Sequence, residues 1–137
     1  MLNRFKELMD TYGSKEVGMA DLHVIQASGL VSFENTGISR SNKDCLLCVI
    51  TCHELLRFKN ELLACQFDSY EKYEQFIVAS GFDLKKDNKS EEDYVSHKSE
   101  DRFYEIGCYI KENGHIEIDS EDIKLQETFN VYLRVQH

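Results

Sequence analysis

The chain has 137 residues, 42% of them hydrophobic and 30% charged, with a formal net charge of −9 at pH 7. That length suits one domain and buries enough surface to fold without staples, and no apolar run approaches the roughly eighteen residues of a membrane span. The acidity is lopsided: residues 1–67 hold 8 acidic and 7 basic side chains, residues 68–137 hold 17 and 9. Direct binding to a phosphate backbone, which Lys and Arg drive, is therefore disfavoured, and a basic partner is favoured over nucleic acid or membrane. Surplus acid also serves plain solubility. The opening MLNRFKELMD contains no signal-peptide core, so the expectation is a soluble, cytoplasmic protein.

In LNRFKELMDTYG, Phe5, Leu8, Met9 and Tyr12 fall on one helical face, and Gly13 is a natural stop. ADLHVIQASGLVSFEN has two short runs rich in Val, Ile and Phe around ASG. It reads as a hairpin of Leu22–Gln26 and Leu30–Glu34, with Gly29 in the turn. NTGISRSNKD reads as a polar loop.

DCLLCVITCHELLRFKNELLACQF is ambiguous. On a helical wheel, Lys59 falls between Leu55, Leu62 and Leu63, so an unbroken helix points its ammonium group at the core. Two strands, Leu46–Phe58 and Leu62–Phe67, with a turn at KNE, avoid that conflict. The rival is a helix from Asp44 to Phe58.

A clear helix follows, with Asp68 as cap, Glu71 three residues on, a buried stripe of Tyr70, Tyr73, Phe76 and Ile77, and Gly81 as stop. Residues 83–102 are highly charged and read as a surface excursion with a helical turn near Glu92–Val95. Asn88-Lys89-Ser90 matches a glycosylation sequon that a cytoplasmic chain leaves unused.

The end reads as a three-stranded meander. A two-residue turn at Asn113-Gly114 pairs Ile110 with Glu117. A three-residue loop, Glu112-Asn113-Gly114, pairs Ile110 with Ile116 and Cys108 with Ile118. It keeps one face apolar and so is favoured, with Gly114 left-handed. In the last strand Phe129, Val131, Leu133 and Val135 alternate with Asn130, Tyr132, Arg134 and Gln136. Together these elements predict a single α+β domain over residues 1–137: a predominantly antiparallel sheet of about six or seven strands with two helices on one face.

Three constellations bear on function. Cys45 and Cys48 have CxxC spacing, followed by Cys52 and His53. The residues between are apolar and nothing bends the chain, so buried cysteine acting as a small hydrophobe is favoured over a zinc site. On a strand Cys52 and His53 point to opposite faces and form no dyad. His23, His97 or His115 can meet a cysteine only through the fold. With no secretion signal, reduced thiols are favoured over disulfides. No phosphate loop, nucleophile elbow or dinucleotide fingerprint occurs.

The third constellation is acidic: SEED at Ser90–Asp93 and DSED at Asp119–Asp122, each readable as a solvated turn or as a phosphate mimic. DSED lacks the layout of a calcium loop. The outer sheet face beside it carries Glu105, Tyr109, Lys111, His115, Glu117, Tyr132 and Arg134. Tyrosine and arginine anchor many interfaces.

The leading expectation is a protein-binding module and not an enzyme: an acidic inhibitor or neutraliser, of the anti-defence or immunity kind, acting as a nucleic-acid mimic toward a basic, nucleic-acid-handling protein such as a nuclease. Its partner-binding residues are Tyr109, Glu117, Asp119, Glu121, Asp122 and Tyr132. No catalytic residue, metal or cofactor is expected. The alternative is a small enzyme or ligand-binding domain using scattered Cys and His residues.

Overall fold

A computed structural model of the chain describes residues 2–39, 45–87 and 93–134. The fold is α+β, with four helices and two four-stranded sheets rather than two helices on one larger sheet. The chain divides into two compact units, residues 1–57 with 127–137, and residues 58–126. No helix among the described residues is long and apolar enough to cross a membrane.

In the first unit, α1 (Leu2–Tyr12) buries Phe5 and Leu8 and stops as expected at Gly13, whose N–H donates to Met9 O at 2.8 Å. A Cβ at Gly13 would lie 2.5 Å from that same carbonyl, so this close stop needs glycine. A two-residue strand, β1 (Glu16–Val17), leads into α2 (Met19–Ala27).

The first strand of the expected hairpin is therefore a helix. Gly18 caps it, and Asp21 Oδ2 accepts from the Gly18 N–H at 3.4 Å. Leu22 and Ile25, three residues apart, are buried, while Val24 is exposed. The cap and the helical stripe override the strand preference of Val and Ile. Gly29, at φ 71°, ends this helix instead of joining two strands.

β2 (Val31–Ser39) runs through residues expected as loop and pairs antiparallel with β3 (Cys45–Cys52). The sheet is completed by β8 (Thr128–Arg134). Its order is β1-β8-β3-β2, antiparallel except for the parallel β1–β8 pair. Ile50 faces Phe129 and Cys48 faces Val131 across β3 and β8, and the Phe5 and Phe129 rings meet at 5.7 Å. The last strand alternates as expected through Val131; Tyr132 and Leu133 are both half-buried, and Val135 lies outside the described residues. It belongs to this sheet, however, and not to a meander with the strands just before it.

At His53 the chain leaves β3 directly into α3 (His53–Ala64). Both readings of this stretch need correction, because strand and helix each take half. Leu55, Phe58 and Leu62 form the buried stripe. Lys59 is half-buried within the helix, which a long side chain achieves by laying its methylenes along apolar neighbours while its charge stays at the edge.

The second unit contains the later part of α3, then α4 (Tyr70–Ala79), and a meander of β4 (Lys85–Asp87), β5 (Tyr94–Lys98), β6 (Glu105–Ile110) and β7 (Ile116–Lys124). The cap of α4 is Ser69, whose Oγ accepts from the Lys72 N–H at 3.3 Å. Asp68 pairs instead with the Lys72 ammonium group at 3.1 Å. Tyr73 and Ile77 are buried, Tyr70 and Phe76 half-buried, and Gly81 stands at φ 78°. Phe58, Phe67, Phe76 and Phe82 cluster with ring centroids 4.9–5.5 Å apart.

Within the expected excursion over residues 83–102, the described residues include two strands, β4 and β5. Val95, Ser96 and His97 are buried, and Tyr94 and Val95 are strand where a helical turn was expected. Asn88–Glu92, with the sequon and most of SEED, lie outside the described residues. The β6–β7 hairpin has the expected register: Ile110 pairs with Ile116, Cys108 with Ile118, and Gly114 sits at φ 85°.

Candidate partner-binding face

On β5 and β6, residues alternate between two faces. Val95, His97, Ile106 and Cys108 share the inner one, and Tyr94, Ser96, Glu105, Gly107 and Tyr109 the outer one. β7 departs from this regularity. Ile106 pairs with Ile123 but Cys108 with Ile118, so five residues of β7 span the distance covered by two of β6. Between these pairs the four residues of DSED stand opposite Gly107 alone, three more than regular pairing requires. The expected turn is thus a wide bulge inside a strand, which twists the strand and re-aims its side chains. Within it the Glu121 N–H donates to Asp119 Oδ1 at 3.1 Å, which closes the bulge locally.

A tyrosine that the sequence did not single out holds this bulge. The Tyr94 hydroxyl reaches Asp122 Oδ2 at 2.5 Å and Asp119 Oδ2 at 3.1 Å, so one proton is shared between two carboxylates. Burial first, then these two carboxylates, push the Tyr94 phenol well above its usual range. Gly107 makes room. A Cβ there would overlap the Tyr94 hydroxyl and lie 2.7 Å from Asp122 Oδ2. The Tyr94 ring meets Tyr109 edge-on at 4.9 Å.

Tyr109 is 43% exposed, a large apolar ring on the surface beside this acid. The Asp119 charge is the main cause raising its phenol above the usual range, and Glu121 adds to it. Glu117, opposite Tyr109 on β7, ion-pairs with Lys111 at 2.5 Å and raises the Lys111 ammonium. Lys111 Nζ also lies 5.7 Å from the Tyr109 ring centre. Glu121 is exposed and Asp119 and Asp122 are half-buried.

Five of the six expected binding residues thus belong to one sheet: Tyr109 on β6, and Glu117, Asp119, Glu121 and Asp122 on β7. Tyr132 is on β8 in the first unit, half-buried, paired with Leu47 and Glu16. Arg134, counted on the same outer face, is on β8 too. Glu105 faces outward but is buried, 3.7 Å from Lys124.

The cysteine-rich stretch packs as core. Cys45, Cys48 and Cys52 are each at most 1% exposed. Strand alternation sets Cys48 and Cys52 on one face with Ile50, and Cys45 on the other. Burial raises the thiols of Cys48 and Cys52. His53 is exposed at the start of α3.

In the second unit His97 meets the Tyr73 ring edge-on at 5.3 Å, on the same inner face as Cys108. Burial pushes Cys108 up to about 11, against a lowering by the Tyr73 hydroxyl, and lowers His97, against the Glu74 charge. His97 Nδ1 has no hydrogen-bond partner among the described residues.

Neither protein-family models, curated proteins nor solved structures match the chain.

Proposed function

We propose that the protein is a small acidic binding module that engages a basic protein through the outer face of β6 and β7. The observation that carries this reading is the pairing of an exposed aromatic ring, Tyr109, with a bulge that presents Asp119, Glu121 and Asp122 around it. An aromatic ring supplies contact area with little entropy to lose, and the carboxylates supply complementary charge and a faster encounter. The partner class that fits is a nucleic-acid-handling protein such as a nuclease, with the carboxylates standing where phosphates otherwise bind. The module acts as its inhibitor or neutraliser. The cysteine and histidine alternative is weaker. A catalytic thiol needs a lowered pKa and a basic neighbour, whereas Cys108 is raised and His97 is lowered.

The test is recovery of a partner from the native host, followed by binding measurements across ionic strength with Glu121→Lys and Tyr109→Ala. Asp122 is left intact because it anchors Tyr94. Affinity that falls with salt, and roughly tenfold or more with each substitution, is expected. Salt-independent binding, or unchanged affinity in both variants, refutes the proposal.

A further inference from the structure

The same acidic unit contains a basic cleft. Of about 470 Å³, it is lined by three cationic residues, Lys59, Arg102 and Lys124, together with Phe103, Ile123, Leu125 and Gln126. Residues 58–126 hold 17 acidic and 9 basic side chains, yet a third of those bases line this cleft and none of the acids does. We propose that the cleft is a binding site for a small organic phosphate with a planar body, of the nucleoside monophosphate class. This goes beyond the acidic-face reading and does not depend on it.

Each lining cation has a structural cause. Lys59 is the residue whose place on the apolar face of α3 the helical pattern leaves unexplained. Lys59 is half-buried on the helix that buries Phe58 and Leu62, and it lines the cleft. Arg102 stands at φ 60°, a conformation that non-glycine residues rarely adopt. The 99–104 turn holds it there. The Arg102 N–H donates to Ser99 O at 2.9 Å, and Asp101 Oδ1 accepts from Ser99 Oγ at 2.7 Å and from the Phe103 N–H at 2.9 Å. Lys124 has Glu105 at 3.7 Å, a long contact to a carboxylate outside the lining, with which a phosphate can compete.

The ligand chemistry follows from the lining. A guanidinium and two ammonium groups suit a phosphate, the guanidinium in bidentate fashion. Phe103, fixed edge-on against Tyr104 at 4.8 Å, and the two aliphatic side chains suit a flat apolar body, while the Gln126 amide can pair with a polar edge. The volume lies within the roughly 300–1,000 Å³ of small-ligand sites. The surrounding excess of acid argues against a nucleic-acid strand, whose further phosphates would be repelled; a single small anion avoids that cost.

The test is calorimetric titration of the full chain with adenosine 5′-monophosphate and guanosine 5′-monophosphate, with adenosine, guanosine and inorganic phosphate as separate arms. At least one monophosphate should bind with a Kd below about 1 mM, and its nucleoside and inorganic phosphate at least tenfold more weakly. Lys59→Met keeps the stem, and Arg102→Gly suits the backbone conformation. Each should weaken binding roughly tenfold with the far-UV spectrum unchanged. No monophosphate binding, or full affinity in both variants, overturns the site. Inorganic phosphate binding as tightly as the nucleotide overturns the planar-body assignment.

Discussion

Gly107 offers the sharpest test of how the acidic bulge is held. Adding a methyl group there, in Gly107→Ala, collides with the Tyr94 hydroxyl, with its ring carbon at 2.7 Å and with Asp122 Oδ2 at 2.7 Å. None of these belongs to a freely moving chain end, because Tyr94 is bound at its hydroxyl and packed against Tyr109. Tyr94 must swing away, and its hydroxyl then leaves the carboxylates. One proton serves both acceptors, so one charge-assisted hydrogen bond is lost, worth about 1.5–3 kcal/mol. Losing the edge-on ring contact adds about 0.5–1.5 kcal/mol. Replacing glycine by alanine within a strand returns about 0.5–1 kcal/mol, so the net loss is about 2 kcal/mol.

Urea titration followed by far-UV circular dichroism measures it. In a Tyr94→Ala background only the Asp122 carboxylate still faces the new methyl group, and without its Tyr94 partner it can turn aside, so Gly107→Ala should cost little, giving a coupling of about 2 kcal/mol between the two positions. Equal costs in both backgrounds would show that Gly107 does not serve Tyr94.

Gly114→Val should cost about 1–2 kcal/mol by denaturant titration. The space around Gly114 is open, with Asp68 O at 4.0 Å, so the cost comes from its left-handed backbone; an unchanged midpoint contradicts this. Burial lowers His97 below 6.5, with Glu74 opposing and Lys86 assisting. Its stability contribution is therefore complete above about pH 6.5 and lost as pH falls below it. His97→Gln should flatten the stability profile between pH 7 and 5. Cys108 is raised from 9.0 to about 11. Its contribution is intact below pH 9 and lost as pH rises toward 11, so Cys108→Ala should shallow the alkaline decline, and an identical slope counts against the shift.

Legibility in the sequence depended on how local the deciding interaction was. The β6–β7 register followed from its own residues, since only one loop length keeps Ile110, Cys108, Ile116 and Ile118 on one face. α1 and α4 carried their stripes and glycine stops within a dozen residues. α2 is hidden by Val24 and Ile25, which favour strand, although Gly18 and Asp21 stand at capping spacing. β5 gave no such signal. Ser96 and His97 look like surface residues, and only the assembled unit buries them, with the strands on either side and the Tyr73 ring of α4 against His97. β8 shows its alternation plainly, but alternation names no partner, and it pairs with a strand some eighty residues earlier.

The candidate sites divide along the same line. DSED announces its charge in sequence, and the charge asymmetry points toward it. Its shape does not follow from those four residues. It needs a gap at Gly107 on the neighbouring strand and a hydroxyl from Tyr94 on the strand beyond, two positions with no resemblance to an acidic motif. Lys59 is the converse case. The helical pattern flagged it as a conflict and resolved the conflict by breaking the helix, because a wheel places charge at the backbone. A lysine carries its charge several bonds away, so the helix survives and Lys59 lines a cleft whose other cationic residues come from a turn and a strand more than forty residues later. A polar residue that contradicts an otherwise consistent apolar stripe is thus better read first as a pointer to a site, and only then as the end of an element.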